Sequence, residues 1–225
     1  AALAKESIDV WENFAGVTGL EGYAIDLPHG GYLFLTTEEE KVADVRATVD
    51  AYHKVGVTDS EYLTGDEILK RWPWLNPEIK AGAFRAKDGW FSAHEVTQGF
   101  ARASDNTRFF VRTRATAIET DAQGICAVIT DRGRINTRVV INAAGPFAIT
   151  VGRWVGLDLP IYQMRRQRVF VAPHPKIPQQ APLIMDVDND SYWRPETGGA
   201  LLGWHDPDEP QSDPMEDPQS DWDFP

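Results

Sequence analysis

The chain has 225 residues, 42% hydrophobic and 25% charged, a composition that excludes a disordered or collagen-like polymer and leaves room for one large domain or two small ones. Its net charge of −12 is uneven: His205 to Pro225 holds six Asp, two Glu and no Lys or Arg. The body is therefore close to neutral and offers no basic field for nucleic acid or an anionic membrane.

The chain has clear helix punctuation in three places. Thr37 with Glu40 reads as a capping box opening an amphipathic helix through Val42, Val45, Val49 and Tyr52, stopped by Gly56. Thr64 with Glu67 opens a shorter helix that must end before Pro73, and Ser92 with Glu95 opens a third through Val96 and Phe100. Strands are expected at Gly31 to Leu35, Phe109 to Thr113, Ala115 to Thr120 and Ile125 to Thr130. A hairpin turn at residues 130–134 leads into a strand from Ile135 to Asn142, whose Val139-Val140-Ile141 reads as buried on both faces. After the small-residue turn Ala143-Ala144-Gly145-Pro146, the spacing of Phe147, Val151, Trp154 and Val155 predicts a helix ended by Gly156. Further strands fall at Arg166 to Val171, Pro182 to Asp186, Ser191 to Arg194 and Ala200 to Trp204, and the acidic, Pro-rich 205–225 reads as an extended segment. These elements add up to an α+β fold, a mixed and antiparallel-rich sheet with packed helices.

No pair of His or Cys has metal-ligand spacing, so no metal is expected. The single Cys126 forms no internal disulfide and reads as a small hydrophobe in a strand; His29 and His94 read as loop and helix-start residues. No apolar run approaches the roughly 20 residues that span a bilayer, and the start lacks the basic-then-apolar layout of a signal peptide, so a cytoplasmic protein is expected.

Three features carry chemistry. The turn Ala143–Pro146 lets a ligand approach bare backbone, with the next helix N-terminus offering N–H groups to a phosphate; a close-packed structural turn is the other reading. Arg165, Arg166 and Arg168 either grip an anion or answer nearby surface acids. Tyr192 and Arg194 stand two apart in a strand and share a face, where guanidinium and phenol can hold a carboxylate, or serve as a cross-strand structural pair.

The order Gly31-Tyr-Leu-Phe-Leu35, Pro73-Trp-Leu75, Asp88-Gly89, Val139-Val-Ile-Asn-Ala-Ala-Gly145, Tyr192-Trp-Arg-Pro195 and Leu201-Leu-Gly203 resembles the FAD-dependent amine and amino-acid oxidoreductases of the D-amino-acid-oxidase type, which include glycine oxidase, the sarcosine oxidase beta subunit and dimethylglycine dehydrogenase. The resemblance implies oxidation of the C–N bond of a secondary or tertiary amine or an amino acid to an imine. It assigns 1–20 and 89–158 to part of an FAD-binding domain and 21–88 and 159–204 to a substrate domain. It places Ala143, Ala144, Gly145 and Pro146 near the dinucleotide and Tyr192 toward the substrate carboxylate, with Arg194 binding beside it or bracing the flavin-facing surface. The implied partners are a small-molecule amine or amino acid and other subunits.

The chain departs from that family in one respect. Gly16, Gly19 and Gly22 follow no strand and do not form the G-x-G-x-x-G fingerprint. The expectation is an internal piece of a longer flavoenzyme, or a chain that lost the missing parts naturally, that retains no FAD by itself. The alternative is a non-enzymatic domain of the same ancestry, binding an acidic ligand or a protein partner.

Overall fold

The computed structural model describes residues 2–220. The chain divides into two compact units, Ala1–Asp105 with Arg166–Asp206, and Asn106–Arg165 with Pro207–Pro225.

The first unit opens with helices α1 (Ala2–Glu12) and α2 (Phe14–Thr18). Strand β1 (Tyr32–Thr36), helix α3 (Val42–Lys54), strand β2 (Glu61–Thr64), helix α4 (Gly65–Arg71), strand β3 (Ala81–Arg85) and helix α5 (Ala93–Arg102) follow. The second unit carries β4 (Ala115–Asp121), β5 (Gly124–Thr130), β6 (Gly133–Asn136) and helix α6 (Ala148–Arg153). The chain then returns to the first unit with β7 (Arg168–Val171), β8 (Leu183–Asp186), β9 (Tyr192–Glu196) and β10 (Gly199–Gly203).

Seven strands of the first unit form one sheet in the order β2-β3-β1-β8-β9-β10-β7. Only β1 and β8 run parallel, so the sheet is mixed and antiparallel-rich as expected. Alternation sends Leu33 and Leu35 of β1 to one face, where they join Leu63, Ile68 of α4, Phe84 and Ile184 in the main core. Trp193 packs against that cluster. On the opposite face, Val45 and Val49 of α3 cover Ala81, Ala83, Phe34 and Tyr62. Phe14, Ile25 and Val96 form a third cluster with Trp11, Tyr23 and Phe91.

The helix starts show which local signals prevailed. Thr64 and Glu67 form the expected capping box, reciprocally bonded at the head of α4. Ser92 accepts from the Glu95 amide at 3.3 Å, but the Glu95 carboxylate accepts from the Asp26 amide instead of closing the box. The Thr37–Glu40 box is not formed. Thr37 gives its amide and hydroxyl to Asp188 at 2.7 and 2.9 Å, and α3 begins at Val42 after a 3₁₀ turn at Glu39–Lys41. A charged acceptor far along the chain outcompeted the local cap, because hydrogen bonds to a carboxylate are stronger than neutral ones.

In the second unit β4, β5 and β6 form an antiparallel sheet around Ile118 and Ala127. One expected strand, Phe109 to Thr113, is absent, and another, Ile135 to Asn142, stops at Asn136. Phe109, Phe110 and Val111 are exposed and irregular, and the chain beyond β6 is irregular without a ladder partner, leaving Val139 and Ile141 73% and 86% exposed. A buried central strand needs neighbours on both sides, and residues 139–141 have none among the described residues. Cys126 lies in β5 but only half-buried, with the Arg134 Nη2 3.7 Å from its sulfur. The acidic segment is irregular over its described part, and Glu209 and Glu216 pair with Arg165 and Arg114; its last five residues lie outside the described ones. No helix among the described residues is long and apolar enough to cross a membrane.

Candidate functional site

Strand β9 sits between β8 and β10, with Met185 opposite Tyr192 on one side and Gly203 opposite it on the other. Alternation turns Trp193 into the main core, so Tyr192, Arg194 and Glu196 share the opposite face. The pairing expected from spacing is thus present, and the register explains why the ring has room. A Cβ on Gly203 would collide with the Tyr192 ring, so the absent side chain lets the phenol lie across the neighbouring strand.

Arg194 is held at several points. Its guanidinium carbon is 4.9 Å from the centre of the Trp90 ring, and Nη1 lies 2.6 Å from a Glu196 carboxylate oxygen and 3.3 Å from the Pro195 carbonyl. Trp90 is itself positioned by Gly30, where any Cβ would meet the indole edge. Tyr32 of β1 completes the cluster: burial, Asp88 and Tyr192 push its phenol above the ordinary value, and Arg194 opposes them. A neutral phenol is a hydrogen-bond donor, which suits an anionic ligand. Among the described residues neither the Tyr32 nor the Tyr192 hydroxyl is bonded to a protein atom. The arrangement can therefore offer two phenol donors and a guanidinium, bounded by an indole plate.

Tyr32 also lines a groove of about 800 Å³ shared with Trp11, Phe34, Tyr52, Arg85 and Phe91. At its rim Arg85 binds Asp59 at 2.8 Å and Asp88 at 2.6 Å, and the Arg85 contact holds the Asp59 carboxyl below the usual range.

The turn Ala143–Pro146 lies in the other unit. Gly145 has φ +54°, and nothing stands within 4 Å of where its Cβ would be, so the exposed backbone is open to close approach. The first amides of that turn are already used, Phe147 N–H by the Ala144 carbonyl and Ala148 N–H by the Gly145 carbonyl, and α6 is only six residues long. What remains is a bare, side-chain-poor surface of exposed backbone.

Of the remaining candidates, Arg165 answers an acid, Glu209 at 3.2 Å, whereas Arg166 and Arg168 are exposed and only Arg168 lies in β7. His29 is a loop residue 2.6 Å from the Lys87 carbonyl, and His94 is exposed at the start of α5. Among the described residues no three His, Cys, Asp or Glu converge as a metal site. Sequence reasoning missed Tyr32, Trp90 and Glu196. Glu196 carried a signal, since it continues the alternation of Tyr192 and Arg194; Trp90 carried none, because only folding brings its loop to β9. It also passed over His205, whose Nδ1 lies 3.4 Å from Asp190 and whose Nε2 is buried without a hydrogen-bond partner among the described residues.

The model of the family described as FAD dependent oxidoreductase matches residues 1–224. The chain belongs to this family. It is 25% identical over 206 residues to the mitochondrial dimethylglycine dehydrogenase of Rattus norvegicus, covering 88% of this chain and 23% of the relative. It is 29% identical over 185 residues to the glycine oxidase of Geobacillus kaustophilus, covering 80% of this chain and 48% of that one. The crystal structure of L-proline dehydrogenase from P. horikoshii superimposes with a TM-score of 0.83 at 22% identity, over 99% of this chain and 59% of that one, which shows a shared fold. The chain thus spans half or less of the length of these two curated relatives.

Proposed function

We propose that this chain supplies the substrate-binding face, and part of the cofactor surface, of a flavin-dependent oxidoreductase acting on the C–N bond of a secondary or tertiary amine or an amino acid. The observation that carries the reading is the convergence of Tyr192, Arg194 and Tyr32 on one sheet face in a chain that matches the FAD dependent oxidoreductase family over residues 1–224. The chemistry that bound FAD supplies is acceptance of a hydride from the carbon next to the substrate nitrogen, leaving an imine that water hydrolyses. The chain's own residues orient and bind. Arg194 gives a ligand carboxylate a charge-assisted contact, Tyr192 and Tyr32 give it hydroxyl donors, and Trp90 lies against the guanidinium and limits its movement. Ala143, Ala144, Gly145 and Pro146 would hold the dinucleotide through backbone contact, their small side chains allowing the approach.

The test is kinetic, in the flavin-loaded full-length protein, the form meant by the flavin-loaded protein below. Losing one charge-assisted hydrogen bond costs roughly 1.5 to 3 kcal/mol, or about 10- to 150-fold in affinity. Tyr192→Phe and Arg194→Met should raise KM for amino-acid substrates and leave neutral amines much less affected. Equal losses on both substrate types, or none, would assign the pair a structural role.

A further inference from the structure

The face that carries Tyr192 and Arg194 also carries an acid. Glu196 is the next residue of β9 on that face, and its carboxylate already sits 2.6 Å from Arg194 Nη1. Both side chains are largely covered, 18% exposed for Arg194 and 32% for Glu196, so solvent screens the pair only in part. Glu196 is not free to swing away without cost, because its other oxygen accepts from the Thr197 hydroxyl at 3.1 Å. The Nε and Nη2 donors of Arg194 meet no protein acceptor among the described residues, which leaves them unspent for a ligand carboxylate.

We propose that Glu196 is a specificity-determining residue: its carboxylate shares the Arg194 guanidinium with an incoming carboxylate and weakens that ligand's binding. Uncharged amines then compete with amino acids on closer terms. This inference rests on the reading of Tyr192 and Arg194 as the carboxylate-binding pair.

Two effects of Glu196 oppose each other, and their sizes decide the sign. Repulsion between two carboxylates about 6 Å apart on one guanidinium, at the effective dielectric of a partly covered site, is a penalty of about 100-fold before solvent exposure reduces it to about 10-fold. Against this, Glu196 helps to orient Arg194. That contribution is the smaller one, because the Trp90 ring and the Pro195 carbonyl hold the guanidinium independently. Removing the charge while keeping the shape should therefore tighten carboxylate binding.

The experiment titrates the flavin-loaded protein with acetate and with acetamide, following heat and the perturbation of flavin absorbance. Glu196→Gln should bind acetate about 10-fold more tightly than the unmodified protein, with acetamide unchanged. Arg194→Met should bind acetate weakly, and adding Glu196→Gln to it should bring no gain. Unchanged or weaker acetate binding in Glu196→Gln, with Arg194→Met still weakened, overturns the role given to Glu196 and leaves the carboxylate-binding pair standing. Acetate binding untouched by Arg194→Met overturns that underlying reading, and the inference with it. Matching thermal midpoints for Glu196→Gln and the unmodified protein tie the change to charge rather than to folding.

Discussion

Replacing Asp188 by Asn should cost this fold more than any surface substitution, and the loss should disappear in acid. Asp188 is 10% exposed and accepts from Thr36 Oγ1 at 2.6 Å, the Thr37 amide at 2.7 Å, Thr37 Oγ1 at 2.9 Å and Lys41 Nζ at 3.3 Å. It thereby fastens the turn after β8 to the junction of β1 and α3. Burial raises its pKa, but the Thr36, Thr37 and Lys41 hydrogen bonds outweigh this and hold the carboxyl below its ordinary value of 3.8. Asn keeps the size but offers one acceptor oxygen and no charge. Its amide nitrogen must face Thr36, which is fully buried, and Lys41. Losing charge assistance from these bonds amounts to about 2 to 3 kcal/mol, or about 4 to 12 °C in Tm for a chain of this size. Because the folded-state pKa is depressed, the ionised carboxylate stabilises the fold fully above the unfolded value and loses this effect as pH falls through the folded one. Thermal unfolding followed by circular dichroism should therefore show a wide gap between the two proteins at pH 7 that narrows once pH drops below about 4. Equal midpoints at pH 7, or a gap that persists undiminished in acid, would refute the reasoning.

Gly203→Ala should displace the Tyr192 ring, raising KM for amino-acid substrates with little change in Tm; unchanged kinetics would show that the ring is not held across Gly203 in solution. Thr197 has φ +48° beside Gly198 at +81° in the β9–β10 hairpin, a turn that favours Asn at its first position, so Thr197→Asn should raise Tm by a few degrees, about 1 kcal/mol. In the full-length protein, Gly145→Leu puts a side chain on open backbone at φ +54°, a strain of about 1 to 2 kcal/mol, so the ratio of flavin to protein absorbance should fall by more than that of Gly145→Ala, which carries the same strain; equal flavin content in the two variants would make the turn a packing element.

What the sequence made legible was local. The capping box at Thr64 and Glu67 needs no partner beyond its own turn, and the alternation of Tyr192, Trp193 and Arg194 needs only a strand with one buried face. The readings that failed depended on distant partners. Thr37 met Asp188, which lies beyond most of the chain, and so never capped a helix. Val139-Val140-Ile141 has the composition of a central strand, yet composition cannot supply the neighbours a ladder requires. Strand β3 was invisible for the opposite reason: Ala81-Gly82-Ala83 is too small-residued to read as a strand. It is nevertheless an inner strand of the sheet, and a Cβ on Gly82 would meet Ile68, Leu33 and the Phe34 carbonyl. The site followed the same division, with the strand pair legible and its Trp90 plate supplied by a loop that only folding brings near.

Anaerobic mixing of the flavin-loaded protein with a panel of secondary and tertiary amino acids and their uncharged amine counterparts tests the central claim most directly. The account predicts that members of the panel bleach the flavin absorbance with formation of the imine's hydrolysis products, and that Arg194→Met slows this selectively for the carboxylate-bearing members at low concentration. A flavin that dithionite reduces but no amine bleaches would contradict it, and would leave a non-enzymatic binding domain of the same ancestry.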